Sequence, residues 1–467
     1  VGDDGEEPVD AFIAAGVANT AERDSSFIGS GIYNTTGSDL SFIGSGGYAN
    51  ASGDGSFVGA GGYECGFLEN PQYPTTINTT GAADDFIGAG DGSIIYGSGT
   101  FSGAGGTTTD SGGSNCRATV AVGVDSFVGA GDDIALGGGE GAAPTNLNFM
   151  GSGVGNSIYS SYTAAVGGKS NSTYGNDSFI GAGFRNYMFA GAGNGAAGSV
   201  IVGGSSNVVG TQTQYPATGP QYIEMAYIGG GSNNAVPAGQ YATIGGGSSN
   251  SVKATLGSIG GGGYNAISSE LATVSGGNGN TGGGTAAFAA GFLAQALTDG
   301  SFVWSDDTTP VQVGSTKSNQ FVVRATGGVG FFSSEALKSG VKLASGAGSW
   351  SSLSDRTMKT AISSLDGDTV LAALARLPLS EWSYVSEPGV RHVGPMAQDF
   401  FAAYHVGEDD RRITTIDEGG VALSAMKALS RRTATTERDH QALRNRLATV
   451  DDRLDDLARK IAALRRR

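Results

Sequence analysis

Phe27-Ile28-Gly29-Ser30-Gly31, Phe42-Ile43-Gly44-Ser45-Gly46 and Phe57-Val58-Gly59-Ala60-Gly61 repeat one phrase: an aromatic residue, an aliphatic one, then glycine, a small residue and glycine. With Phe12-Ile13-Ala14-Ala15-Gly16 ahead of them, four successive starts lie 15 residues apart. The phrase continues at Phe86, Phe101, Phe127, Phe149 and Phe179 with irregular insertions. It returns at Tyr227, Thr243, Ser258, Thr273 and Phe288, spaced 16, 15, 15 and 15. Such a period is too short for a pair of helices but suits one solenoid coil of two short strands and two turns. The Phe and Ile positions are expected to stack as an inner apolar ladder, with glycine at the tight corners. Asparagine follows many glycine runs, as at Asn233 and Asn250, and is expected to mark a second corner, because it tolerates left-handed backbone and bonds nearby peptide groups.

Composition agrees with a repetitive β body. The 467 residues include 82 glycines without a G-X-Y period, which excludes collagen, and only 15 % charged residues, too few for a solvated disordered chain. Up to Leu353 there are 9 basic against 26 acidic residues; from Asp355 onward, 18 against 17. An acidic body without a basic stripe argues against nucleic acid as a partner and against anionic lipid. No stretch reaches the roughly 18–20 apolar residues of a membrane span. Cys65 and Cys116 are the two cysteines, and neither belongs to a C-x-x-C pair, so no metal site is expected from them. They read either as one disulfide clamping two loops or as two free thiols. A start at Val1 suits removal of a signal peptide.

Four segments break the period: residues 62–84, 106–118, 138–148 and 208–226. Insertions in solenoids collect on one face and often bind. Tyr73, Tyr215 and Tyr222, with Phe67, are the candidate platforms for a host or surface glycan or protein. Packing of the loops onto the coil is the plainer reading of the same rings.

Beyond residue 300 the pattern changes. Phe302-Val303-Trp304-Ser305 and Phe321-Val322-Val323-Arg324 alternate or run apolar, and Gly327 to Phe332 reads as a hairpin or an interwoven strand. The chain from 301 to 353 is therefore expected to form a β stem. After it come Ser354-Asp355-Arg356-Thr357-Met358-Lys359, a helix from Thr369 to Leu377 before Pro378, a strand at Trp382-Ser383-Tyr384, and Arg391-His392-Val393-Gly394-Pro395-Met396-Ala397-Gln398-Asp399. Leu443, Leu447, Val450, Leu454, Leu457, Ile461 and Leu464 alternate spacings of 4 and 3, a heptad seam. That seam extends backwards to Leu429 and Met426.

Two resemblances carry the reading further. Residues of about 10–300 resemble the head of YadA-like trimeric adhesins, which implies a left-handed parallel β-roll in a homotrimer. Unlike those proteins, the sequence ends in a charged helix rather than a barrel-forming segment. Residues of about 352–467 resemble the intramolecular chaperone of phage endosialidase tail spikes, a self-releasing serine peptidase. The two resemblances together imply four regions. Residues 1–300 form the head, and 301–353 a stem in which three chains intertwine. Residues 354–420 form a small α+β chaperone and autopeptidase domain, and 421–467 a trimeric coiled coil. The second resemblance places the cut between Ser354 and Asp355, with Ser354 and Lys359 as a dyad and His392 essential nearby. A serine hydroxyl needs a base, and burial favours a lysine that can accept a proton. Attack by Ser354 on its own carbonyl would close a four-membered ring, so water or another hydroxyl suits that bond better. Without the resemblance, Lys359 reads as a surface lysine and His392 as a core histidine.

The expected protein is a secreted or surface-exposed trimeric fibre or adhesin, needing no cofactor and partnered chiefly by itself. A phage tail fibre or spike is the alternative. A glycan-degrading enzyme would need two carboxylates flanking a bond. Asp84-Asp85, Asp132-Asp133 and Asp306-Asp307 are adjacent pairs, and neighbours in a strand point to opposite faces.

Overall fold

A computed structural model of the chain describes residues 8–61, 78–90, 92–106, 108–109, 116–117, 119–137, 145–189, 196–211 and 223–466. It divides into two compact units, Val1–Thr326 and Gly327–Arg467. Tyr73, Tyr215, Tyr222, Phe67 and Cys65 lie outside the described residues, and Cys116 is described in backbone only. The binding-loop and disulfide expectations rest on these residues.

The first unit is a parallel β-solenoid. Eighteen strands among the described residues form one stack, running from Phe12–Ile13 to Phe321–Arg324. Phe12 pairs with Phe27, Phe27 with Phe42, Phe42 with Phe57 and Phe57 with Phe86. A second parallel stack carries the other strand of each coil, from Thr20–Ala21 through Thr35–Thr36 to Val313–Gly314. Insertions leave the register intact: Val200 pairs with Tyr227 across 27 residues as cleanly as Ser258 pairs with Thr273 across 15. An insertion that leaves and returns at one corner costs only loop entropy, which grows slowly with length.

One expectation needs correcting. The aromatic and aliphatic positions do not share an inner ladder. Ile28, Ile43, Val58, Ile87, Val128 and Met150 are completely buried, whereas the preceding aromatic points the other way. Phe12, Phe127 and Phe149 are 55, 39 and 43 % exposed. Successive side chains in a strand alternate faces, so adjacent residues cannot both face the core.

Asparagine holds the second corner by a route the sequence did not indicate. At most coils the left-handed residue is the one before it: Tyr33, Ser170, Arg185, Ser206, Ser249 and Tyr264 have φ between 54° and 58°, and Asn233, at 55°, is itself left-handed as expected, ahead of Asn234. The asparagine itself is buried and bonds backbone. Asn171 Nδ2 donates to the carbonyls of Gly167 and Gly183, both at 3.0 Å, and its Oδ1 accepts from the Asn186 amide at 3.0 Å. The same arrangement runs through Asn156, Asn186, Asn207, Asn234, Asn250, Asn265 and Asn280. Each side chain thus satisfies peptide groups that a tight corner would otherwise bury unpaired.

The solenoid also runs further than the stem expectation allowed. Phe288 pairs with Phe302 and Phe302 with Phe321, all parallel. The longer polar turns there disguise two ordinary coils. Arg324 fastens the last one, its Nε 3.1 Å from Asp306 Oδ1 and its Nη2 donating to the Asp306 carbonyl at 2.7 Å. Amide and hydroxyl donors from Thr326 and Thr308 hold the Asp306 carboxyl well below the usual range.

The second unit opens with antiparallel strands Gly328–Phe332, Gly340–Ala344 and Ser351–Ser352, the hairpin among the two alternatives read for this segment. Three helices follow: α1 (Gly367–Leu374), α2 (Ala397–Tyr404) and α3 (Thr415–Leu464). Asp366 caps α1 and Thr414 caps α3 through side-chain oxygens that accept from the first turn. Val370, Phe400, Val421 and Ala425 form a small core. His405, for which no motif was found, closes α2 in the left-handed conformation.

Candidate active site

Ser354 and Lys359 are brought together by one short turn. Asp355 caps a single 3-10 turn, Arg356–Met358, by accepting from the Thr357 amide at 2.8 Å and its hydroxyl at 2.9 Å. Those two donors hold the Asp355 carboxyl below its ordinary range, so it stays ionised as the cap. The turn reverses the chain, and Lys359 leaves it in extended backbone. Its ammonium nitrogen then lies 2.7 Å from Ser354 Oγ. Five residues apart in sequence, the two groups share a hydrogen bond. Both are exposed, so the dry surroundings that base catalysis by lysine calls for are not supplied within one chain.

His392 sits elsewhere in the unit. Strand His392–Gly394 pairs antiparallel with Ser380–Trp382, setting His392 opposite Trp382. Their rings stack at 4.7 Å, and Tyr384 meets the imidazole edge-on at 5.4 Å. Glu387 Oε2 is 3.9 Å from Nε2, within ion-pair range but too long for a hydrogen bond. Nε2 of His392 and Nε1 of Trp382 are buried without a hydrogen-bond partner. Among the described residues, no hydrogen bond, ion pair or ring contact joins His392 to Ser354 or Lys359. The structure therefore brings Ser354 and Lys359 together and leaves the histidine in an aromatic nest of its own. The strand expected over Trp382-Ser383-Tyr384 ends at Trp382, and Tyr384 meets the imidazole from just beyond it.

Residues 354–406 match the family described as the chaperone of endosialidase. The opening of the tail is thus similar to that chaperone domain. The match opens on Ser354 itself and contains Lys359 and His392. No curated protein and no solved structure matches the chain.

Two of the carboxylate pairs of the solenoid do not present both acids to one bond. Asp84 is exposed at a corner, whereas Asp85 is 1 % exposed inside the coil. Asp306 is consumed by Arg324 and Thr326. Among the described residues, no three His, Cys, Asp or Glu side chains converge as metal ligands, and no helix is long and apolar enough to cross a membrane.

Proposed function

We propose that the chain is an extracellular trimeric fibre whose chaperone tail aligns three copies and then releases itself by hydrolysis between Ser354 and Asp355. The observation that carries this reading is the 2.7 Å contact between Ser354 and Lys359 at the first residue of the chaperone match. Parallel strand pairing between distant segments is slow, because loop-closure entropy is lost before contacts form. Gathering the chains at one end removes much of that cost. Removal of the template afterwards leaves a kinetically trapped fibre.

In the hydrolysis, water adds its oxygen to the Ser354 carbonyl carbon and loses a proton. The Asp355 nitrogen takes a proton and departs as the new amino terminus. Ser354 Oγ and Lys359 Nζ form the relay that moves the proton, and the ionised Asp355 cap fixes the turn that bears the bond. His392 acts once assembly dries the site and brings it a partner. Adhesion is the body's role in this reading. A phage tail fibre is the second reading, favoured by the chaperone match.

Intact mass of the full chain is the test. The native sequence is expected to give two products parted at Ser354–Asp355, and Ser354→Ala and Lys359→Ala are expected to stay whole as trimers. Normal cutting of Ser354→Ala at the same bond overturns the assignment.

A further inference from the structure

The outward rings of the first coils form one continuous object. Phe12, Phe27, Phe42, Phe57, Phe86, Phe101, Phe127 and Phe149 stack with centroids 4.8–5.5 Å apart and planes within 16° of parallel. They lie against the sheet rather than standing off it. Ala14 stands two residues after Phe12; after the other seven rings, a Cβ on Gly29, Gly44, Gly59, Gly88, Gly103, Gly129 or Gly151 would come within 3.1–3.5 Å of the preceding ring's edge. It would also lie 2.3–2.6 Å from a carbonyl oxygen of the next coil. Glycine is thus required twice over. The result is a flat aromatic ribbon bordered by bare backbone.

We propose that this ribbon is the face on which two further copies of the chain pack, parallel and in register. The inference rests on the trimeric reading above and names the surface that reading leaves open. Phe12, Phe127 and Phe149 are exposed and the other five rings half-buried, so the ribbon presents up to roughly 500 Å² of apolar surface per copy, at the ~150–250 Å² that each aromatic side chain carries. That is at the upper end of the largest apolar patch on a monomer. With the glycine border, it approaches the ~800 Å² per partner of a stable interface.

Charge selects the occupant. The body is strongly acidic, and its carboxylates stand exposed on corners at Asp24, Asp39, Asp54, Asp84 and Asp125. Packing copies through those corners would set like charges in columns against each other, which costs several kcal/mol for each close juxtaposition. The ribbon bears no charge. Identical copies in register place each ring at the height of its own counterpart, so a 4.8 Å ladder meets a ladder of equal pitch.

The test places p-benzoylphenylalanine at Phe42, Phe86 or Phe127 of the full chain, with Thr35 and Ser172 of the second stack as controls. After irradiation, denaturing gels are expected to show covalent dimers and trimers from the three ribbon positions and single chains from the controls. Samples that sediment as trimers but cross-link only from Thr35 or Ser172, or from no position, overturn the ribbon while leaving the trimer intact. Sedimentation as monomer overturns the trimeric reading instead.

Discussion

Asn250 in the solenoid and Leu454 in the terminal helix both belong to repeating columns, but the columns are of opposite character. Asn250 is wholly buried, and every polar atom of its side chain is satisfied within its own chain. Leu454 is 58 % exposed, as are its seam partners Leu443 at 63 % and Leu447 at 61 %. The coil interior closes on itself one turn at a time, whereas the seam of α3 displays its apolar residues to whatever lies alongside. A helix of 50 residues with three buried side chains gains little from its own fold. The difference teaches where self-sufficiency ends: a coil interior is satisfied by its neighbours in sequence, and the seam of α3 is not covered within its own chain.

The sharpest way to break that contrast is Leu454→Asp. If the seam is the trimer's gathering point, the substitution places three carboxylates at one layer of a coiled coil, an expensive burial without partners. Complete loss of trimer is expected by sedimentation. A variant that keeps the native mass would show that the helix assembles through another face, or not at all. Asn250→Ala probes the opposite pole. It removes the partner of the Asn265 amide and of the Gly246 carbonyl, whereas the Gly262 carbonyl keeps the Ser248 amide and Asn265 Nδ2 keeps the carbonyls of Gly261 and Gly277. At ~1–3 kcal/mol for each of those two groups left unpaired, the loss is about 2 kcal/mol or more. Solenoid stability is a sum of local and nearest-neighbour terms. Hydrogen exchange should therefore quicken in the coils from Asn234 to Asn280, with little change near Phe42. Uniform loss of protection along the body would mean that the coils fold as one unit.

The period of 15 made the solenoid legible, because chance does not hold a register through several coils. What it concealed was direction. A repeat tells which positions are equivalent, not which face they point to, so Phe27 and Ile28 were joined in one ladder although strand alternation separates them. The same blindness hid Asp85 among the serines and threonines of its column. The coils at Phe302 and Phe321 escaped notice because spacings of 14 and 19 residues no longer advertise a period. In the tail, the Ser354–Lys359 pairing was legible only through the resemblance, since the residues alone make Lys359 a surface lysine and do not announce the turn capped by Asp355. The seclusion of His392 was not, because the aromatic nest arises from pairing of Trp382 with His392, ten positions further along the chain.

The smallest effect concerns that concealed carboxyl, and it asks whether the coil interior is as uniform as Asn250 implies. Asp85 occupies the column filled by Ser41 and Ser56 before it and by Thr100 and Ser126 after it, all nearly inaccessible. Burial raises its pKa from 3.8 to about 7, against the pull of amide donors from Thr100 and Ala82 and with help from the neighbouring Asp84 charge. In the unfolded chain the carboxyl ionises near its ordinary value. Between about pH 4 and 7 the folded chain therefore holds a proton that the unfolded chain has lost. Stability is then full below the unfolded value and falls as pH rises toward the folded one, at up to about 1.4 kcal/mol per pH unit. Above about 7 both states are charged and the decline stops. Asp85→Ser supplies the residue of the neighbouring coils and is expected to abolish this slope, whatever it does to stability at any single pH. Hydrogen exchange at Phe86 and Thr100, followed at pH 5, 6 and 7 and corrected for intrinsic rates, reads the slope directly. Equal slopes in the native and Asp85→Ser chains would mean that the Asp85 carboxyl is ionised inside the coil, held there by its two amide donors.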